Sequence, residues 1–202
     1  MLDIGHSYTD SIDRQWRQLA EPGAWLTGTE RVAVAAAMRA ARNGGADSGE
    51  LDPPMAEAAA VFGGDPAAPR RAWVDDLAVR GVSAGAYTEI LSICSRVAAI
   101  DTFLYGAGHP ERPLPEPVSG EPHRRTADGV SINGGFTPTA GPAFPTTVVS
   151  MLPGEQDVLF DLHGALYLAL DEMPELEIVK DLDRRQMELI AARTSLLNEC
   201  FF

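Results

Sequence analysis

Apolar positions recur along much of the chain at intervals of three and four, the period of a helix with one buried face. Ile12, Trp16 and Leu19 set this spacing in a first stretch over Thr9–Leu19, which Pro22-Gly23 breaks. Thr27 followed three residues on by Glu30 predicts a capping box. An Ala-rich helix then runs to Arg42 and stops at Gly44-Gly45. After a polar loop over 46–53, Pro54–Phe62 reads as a short helix entered on proline. Another follows over Pro66–Arg80, carried by Trp73 and Leu77. Ser83 is placed to cap the longest periodic run of the front half, residues 84–105. Tyr87, Ile90, Leu91, Cys94, Val97, Ala98, Asp101 and Leu104 fall on one face of that run.

The pattern then changes. Between Gly106 and Gly154 the helical period disappears, and nine of the 15 prolines gather there. So long an irregular stretch inside a domain reads as a linker, a lid or an arm around a neighbouring subunit. Periodicity resumes at Glu155 with Val158, Leu159, Leu162, Leu166 and Leu170 in one stripe, and Pro174 breaks it. Asp183–Leu197 forms a last helix, with Met187, Ile190, Ala191 and Leu197 expected inward. No strand alternation is evident, so the expected fold class is all-α. The organisation expected is a helical unit over 1–105, a Pro-rich arm over 106–154 and a second helical unit over 155–202.

Charge narrows the partners. Sixteen Lys and Arg stand against 29 Asp and Glu, a net charge of −13. Nucleic acid and anionic membrane surfaces are therefore poor partners. No 18-residue apolar run is long enough to span a bilayer. The first residues, MLDIGHSYTDSIDRQW, lack the basic start and apolar stretch of a signal peptide, and the expected location is cytoplasmic. Two cysteines, Cys94 and Cys200, make no disulfide framework. Cys94 lies on an apolar face and reads as a buried structural thiol. His109 and His123 have no metal-ligand spacing, and His163 reads as a satisfied core or surface histidine. Gly134-Gly135 follows no strand and opens no helix, so it is no phosphate loop. No cofactor and no metal site is expected.

Two segments resemble each other. Residues 89–94 align with 188–193, Val97-Ala98 with Leu196-Leu197, and Phe103 with Phe202. The twelfth residue after the shared Glu is Asp101 in the first copy and Cys200 in the second. Two degenerate helical repeats joined by a long Pro/Gly-rich segment would account for the whole chain. The first copy lacks the thiol, so Glu89 and Asp101 read as structural or pocket-forming.

On one unbroken helix Glu188 and Cys200 would lie roughly 18 Å apart. A break at Asn198, which tolerates the left-handed conformation, would put Cys200 at the start of a following helix. There the helix dipole favours a thiolate nucleophile, and a fold back would let Glu188 relay a proton.

The spacing from Glu188 to Cys200, with Leu197-Asn198-Glu199-Cys200-Phe201-Phe202, resembles the E-x11-C-x-x-C-x-x-x-H pattern of the alkylhydroperoxidase D-like proteins of the carboxymuconolactone decarboxylase superfamily. The resemblance is loose over most of the chain, including Gly28-Thr29-Glu30-Arg31, and specific over 184–202. It implies a peroxidase that uses a C-x-x-C or C-x-x-U centre. Glu188 would be the proton relay and Cys200 the resolving thiol. A peroxide would be the substrate and an external dithiol the reductant. Homo-oligomers, trimers or hexamers, would form through the helices. The second redox residue belongs three positions after Cys200, and the sequence reaches only Phe202. A selenocysteine codon read as a stop would explain this, and the 202 residues are then expected to turn over little peroxide. The alternative is a non-catalytic, oligomerising helical module that has lost the redox centre. A decarboxylase-like or isomerase-like chemistry, as in the cysteine-free branch, fits Cys200 less well.

Overall fold

A computed structural model describes residues 3–46 and 49–200 of the chain. Seven helices and one minimal strand pair make up its regular structure among the described residues. In order they are α1 (Gly5–Ala20), α2 (Gly28–Arg42), α3 (Pro53–Gly64), α4 (Arg71–Val79), α5 (Ala84–Gly106), β1 (Ser131–Ile132), β2 (Pro138–Thr139), α6 (Pro153–Leu166) and α7 (Arg184–Leu197). The all-α expectation holds at this level. The exception is β1 and β2, a two-residue antiparallel ladder pairing Ser131 with Thr139 and Ile132 with Pro138. A ladder this short has no alternation to leave in a sequence.

The helix boundaries follow local chemistry. Thr27 and Glu30 form the expected capping box at the start of α2. The end of α2 is a Schellman turn: Gly45 N–H donates to the Ala40 carbonyl and Gly44 N–H to that of Ala41. Gly44 is left-handed there, at φ 74°. Ser83 caps α5 by accepting from the Ala86 N–H. The helix expected over Pro66–Arg80 is shorter, beginning only at Arg71, because Pro66 and Pro69 occupy a turn and an extended lead-in. α6 ends at Leu166, before Leu170 and Pro174, so Leu170 leaves the stripe and is exposed.

α5 is the axis of the molecule. Fourteen of its residues are buried, on faces turned towards α2, α3 and α6. Ile90, Ile93, Val97 and Ile100 meet Val34, Ala35 and Met38 of α2 and Ala58 and Ala59 of α3 in one apolar core. Cys94 belongs to that core, as its position on the apolar face predicts. α1 lies across α2 and α6. Phe62, Trp73 and Tyr87 pack edge to face beside the core and anchor α4.

The Pro-rich segment lies along the chain's own helices. Val118 N–H donates to Ala20, His123 N–H to Gly23 and Arg124 N–H to Ala24. The Trp16 indole donates to the Pro113 carbonyl at 2.7 Å, between the guanidinium groups of Arg39 and Arg112. α7 departs from the sequence reading. None of its residues is buried. Met187 and Ala191 are half-covered, whereas Ile190 is 55% and Leu197 75% exposed. The inward assignment of Ile190 and Leu197 is therefore corrected. The helical period was right, but Ile190 only borders an open hollow beside α1 and α6, and Leu197 is left uncovered.

One close approach sets a testable limit on the core. A Cβ on Gly85 would overlap the Trp25 ring. Gly85→Ala gains about 1 kcal/mol of helix propensity. Overpacking there costs about 1–3 kcal/mol, and the overlap with a ring makes that term the larger. Net destabilisation is expected, seen as a lower urea midpoint at unchanged slope.

Candidate functional site

Two groups of polar side chains stand out, one sealed in the core and one at the corner of α6 and α7. The sealed group joins four helices. Arg31 of α2 pairs with Glu89 of α5 and, at 2.8 Å, with Glu155 of α6. Its other nitrogen donates to the carbonyl and side chain of Gln18 on α1. Ser92 donates to Glu155 at 2.6 Å, and Arg96 lies 3.4 Å from the same carboxylate. Glu89 also accepts from the backbone N–H groups of Trp25 and Leu26. Arg31, Glu89, Arg96 and Glu155 are all at most 2% exposed, so every charge is answered inside the protein. Gly23 is needed beside it, because a Cβ there would overlap the Glu89 carboxylate and the Arg31 guanidinium.

The two carboxylates differ because their surroundings differ. Burial alone would raise Glu155, but Arg96 and Arg31 outweigh it and hold the carboxyl at about 2. Burial raises Glu89, which has only Arg31 as its cationic partner and Glu155 as a nearby like charge. Burial draws Arg96 down to about 10, still charged at neutral pH. A second pair lies further along α5, where Asp101 receives two bonds from Arg39 at 2.6 and 2.9 Å. Arg39 also donates to the Arg112 carbonyl of the Pro-rich segment. Glu89 and Asp101 are thus anchors of the packing, the structural reading expected of them.

The exposed group contains the residues singled out by sequence. Glu188 lies within α7, its side chain half-exposed and 2.7 Å from the Arg184 guanidinium. The Tyr167 hydroxyl donates to Glu188 Oε1 at 2.5 Å. Tyr167 closes α6 and has no spacing relation to Glu188, so no sequence motif pointed to it. α7 itself is set by a capping box of Asp183 and Gln186. This D-x-x-Q pattern was legible in the sequence but was not singled out.

Cys200 is exposed beyond the end of α7. The break occurs where expected, but the left-handed residue is Glu199, at φ 53°, and Asn198 is not left-handed. Cys200 N–H donates to Ser195 at 2.9 Å and Glu199 N–H to Leu196 at 3.3 Å, a second Schellman turn. Cys200 therefore closes the helix before it, and the carbonyl end of α7 faces it. The helix expected to begin at Cys200 would extend into Phe201 and Phe202, which lie outside the described residues, as does the Phe202 match. Continuous helix from Glu188 to Leu197 keeps Glu188 and Cys200 well apart, roughly 1.5 Å per residue. The structure does not bring the two together.

The other candidates resolve simply. Burial pushes the Cys94 thiol far up, which makes it inert. His163 Nδ1 donates to the Leu168 carbonyl at 2.6 Å, the satisfied histidine expected. Among the described residues no group of His, Cys, Asp and Glu is arranged to hold a metal ion. Nor, among the described residues, is any helix long and apolar enough to cross a membrane.

The buried cluster makes a prediction about acid. Glu155 has its carboxyl pKa lowered on folding, so its contribution is complete above the unfolded value near 4.5 and fades as pH falls towards about 2. Glu89, raised, runs in the opposite sense and loses stability as pH rises through its folded value. Glu155→Gln leaves Arg96 and half of Arg31 uncompensated and is expected to cost about 3–5 kcal/mol at pH 7. Urea unfolding between pH 5 and 2 should show a steep acid loss in the parent and a shallower one in the variant.

No family model, curated protein or solved structure matches this chain.

Proposed function

We propose that this chain is the helical scaffold of a thiol- or selenol-dependent peroxidase resembling the alkylhydroperoxidase D-like proteins, with Cys200 as its resolving thiol. The observation that carries the reading is the contrast between the two cysteines. Cys94 is sealed in the core, whereas Cys200 stands exposed at the end of a helix, on a turn fixed by two backbone hydrogen bonds. The mostly helical architecture is compatible with the two-repeat fold that the resemblance implies.

The chemistry would run in three steps. An attacking thiolate or selenolate takes the distal oxygen of a peroxide, and the alcohol leaves with a proton supplied by Glu188. The Cys200 thiol then attacks the resulting sulfenic or selenenic acid and forms the S–S or Se–S bond, and its proton leaves with the hydroxyl group as water. An external dithiol reduces that bond by exchange. The resemblance puts the attacking group three positions after Cys200, a position the 202 residues do not include. In this scheme Glu188 would serve that group and not Cys200.

The 202-residue chain should therefore trap one oxidation without cycling. Treated with an alkyl hydroperoxide and dimedone, it should carry a single label at Cys200, absent in Cys200→Ser. Glu188→Gln should change the labelling rate by less than roughly twofold, since Glu188 does not reach this sulfur. Steady dithiol-driven turnover by these 202 residues, or labelling at Cys94 instead, would defeat the assignment.

A second reading has its own support. Leu189, Ile190, Leu196 and Leu197 of α7 are 55–77% exposed, a dense apolar surface for one short helix. This fits an oligomerising helical module whose α7 packs against another copy. In sedimentation velocity the chain should then exceed monomer mass, and Leu189→Glu with Leu196→Glu should return it to monomer.

A further inference from the structure

A cavity of about 470 Å³ opens between the start of α1, the end of α6 and the inner side of α7. Its volume is within the range of small-molecule sites. Leu166, Met187 and Ile190 give it apolar walls, and Met187 supplies a side chain that adapts to an irregular guest. The charged groups that line it are Lys180 and Asp181, of opposite sign. Lys180 is already paired with Glu172 at 2.7 Å. A charged guest would therefore find no net complement. Ser7, Tyr8 and Tyr167 bring hydroxyl groups to the wall, and that of Tyr167 is held in a fixed direction. Its hydroxyl hydrogen is committed to Glu188 Oε1, and the Arg184 Nε lies 2.7 Å from the same oxygen. The phenol oxygen is left with lone pairs only, so it accepts a hydrogen bond and has none to give.

We infer that this cavity binds an uncharged, largely aliphatic molecule ending in a hydroxyl group, with the hydroxyl donating to the Tyr167 oxygen. Glu188 acts here as the acceptor that turns the phenol into an acceptor in its turn. No atom of Cys200 takes part, and although Glu188 is shared with the redox reading, loss of the alcohol preference and loss of labelling at Cys200 are separate outcomes.

The test uses the 202-residue chain, 1-octanol and octyl methyl ether, which has the same alkyl chain without the O–H. Titration calorimetry should show the alcohol binding about tenfold more tightly than the ether, the worth of one hydrogen bond. Tyr167→Phe should reduce the alcohol to the affinity of the ether and leave the ether unchanged. Glu188→Ala should narrow the preference, because the freed phenol then donates to the ether oxygen. Ala191→Trp fills the cavity and should abolish binding of both. Far-UV circular dichroism checks that each variant keeps its helices. If Ala191→Trp loses helicity, the Tyr167→Phe comparison decides alone. Equal affinity of alcohol and ether for the parent chain overturns the inference. So does absence of binding up to the solubility limit, or undiminished binding in a folded Ala191→Trp.

Discussion

Arg31 is the residue on which the helices converge. Fully buried, it holds Glu89 of α5, Glu155 of α6 and Gln18 of α1 from a single position on α2. A guanidinium with no access to water is tolerable only if each of its partners is in place. That requirement fixes the angle and register of four helices together, whereas the apolar core alone would accept several sliding arrangements. Gly23 follows from the same constraint, since the loop before α2 passes against the ion pair with no room for a side chain. So does the position of α6, whose first turn brings Glu155 inward towards Ser92 and Arg96.

The Pro-rich segment becomes intelligible against this frame. It contributes little regular structure, yet it is tied to α1, α2 and the loop between them through the Pro113 and Arg112 carbonyls and through its backbone N–H groups at Val118, His123 and Arg124. Proline suits such a strap, since it limits the freedom lost when an extended chain is laid down. The strap brings the chain from the end of α5 round to the start of α6, the helix that closes the charge cluster.

The chemistry-bearing end of the molecule is built differently. α7 leans on the body through one narrow stripe and leaves its other apolar residues uncovered. A helix held in this way forms a cavity wall on one side and offers an unpartnered surface on the other. Tyr167, Glu188 and Arg184 are arranged there by one side-chain hydrogen bond and one ion pair. The core and the candidate site thus have separate physical foundations. The first rests on sealed charges and the second on a surface helix and its caps.

Local rules were enough to read the helices. The Thr27–Glu30 box, the Ser83 cap, the Gly44-Gly45 stop and the periodic faces of α1 and α5 are fixed by residues within a turn or two of one another, so the sequence alone determined them. The burial of Cys94 followed from the same periodicity. Asp101 on an apolar stripe was a visible sign of a buried partner, but Arg39 as that partner lies 62 residues away and carries no mark of it. Tertiary structure alone decided that Arg31 would gather Glu89 and Glu155, that Tyr167 would take Glu188, and that α7 would remain half-covered. Such pairings depend on where distant segments meet, and a helical period records which face is apolar without saying what will cover it.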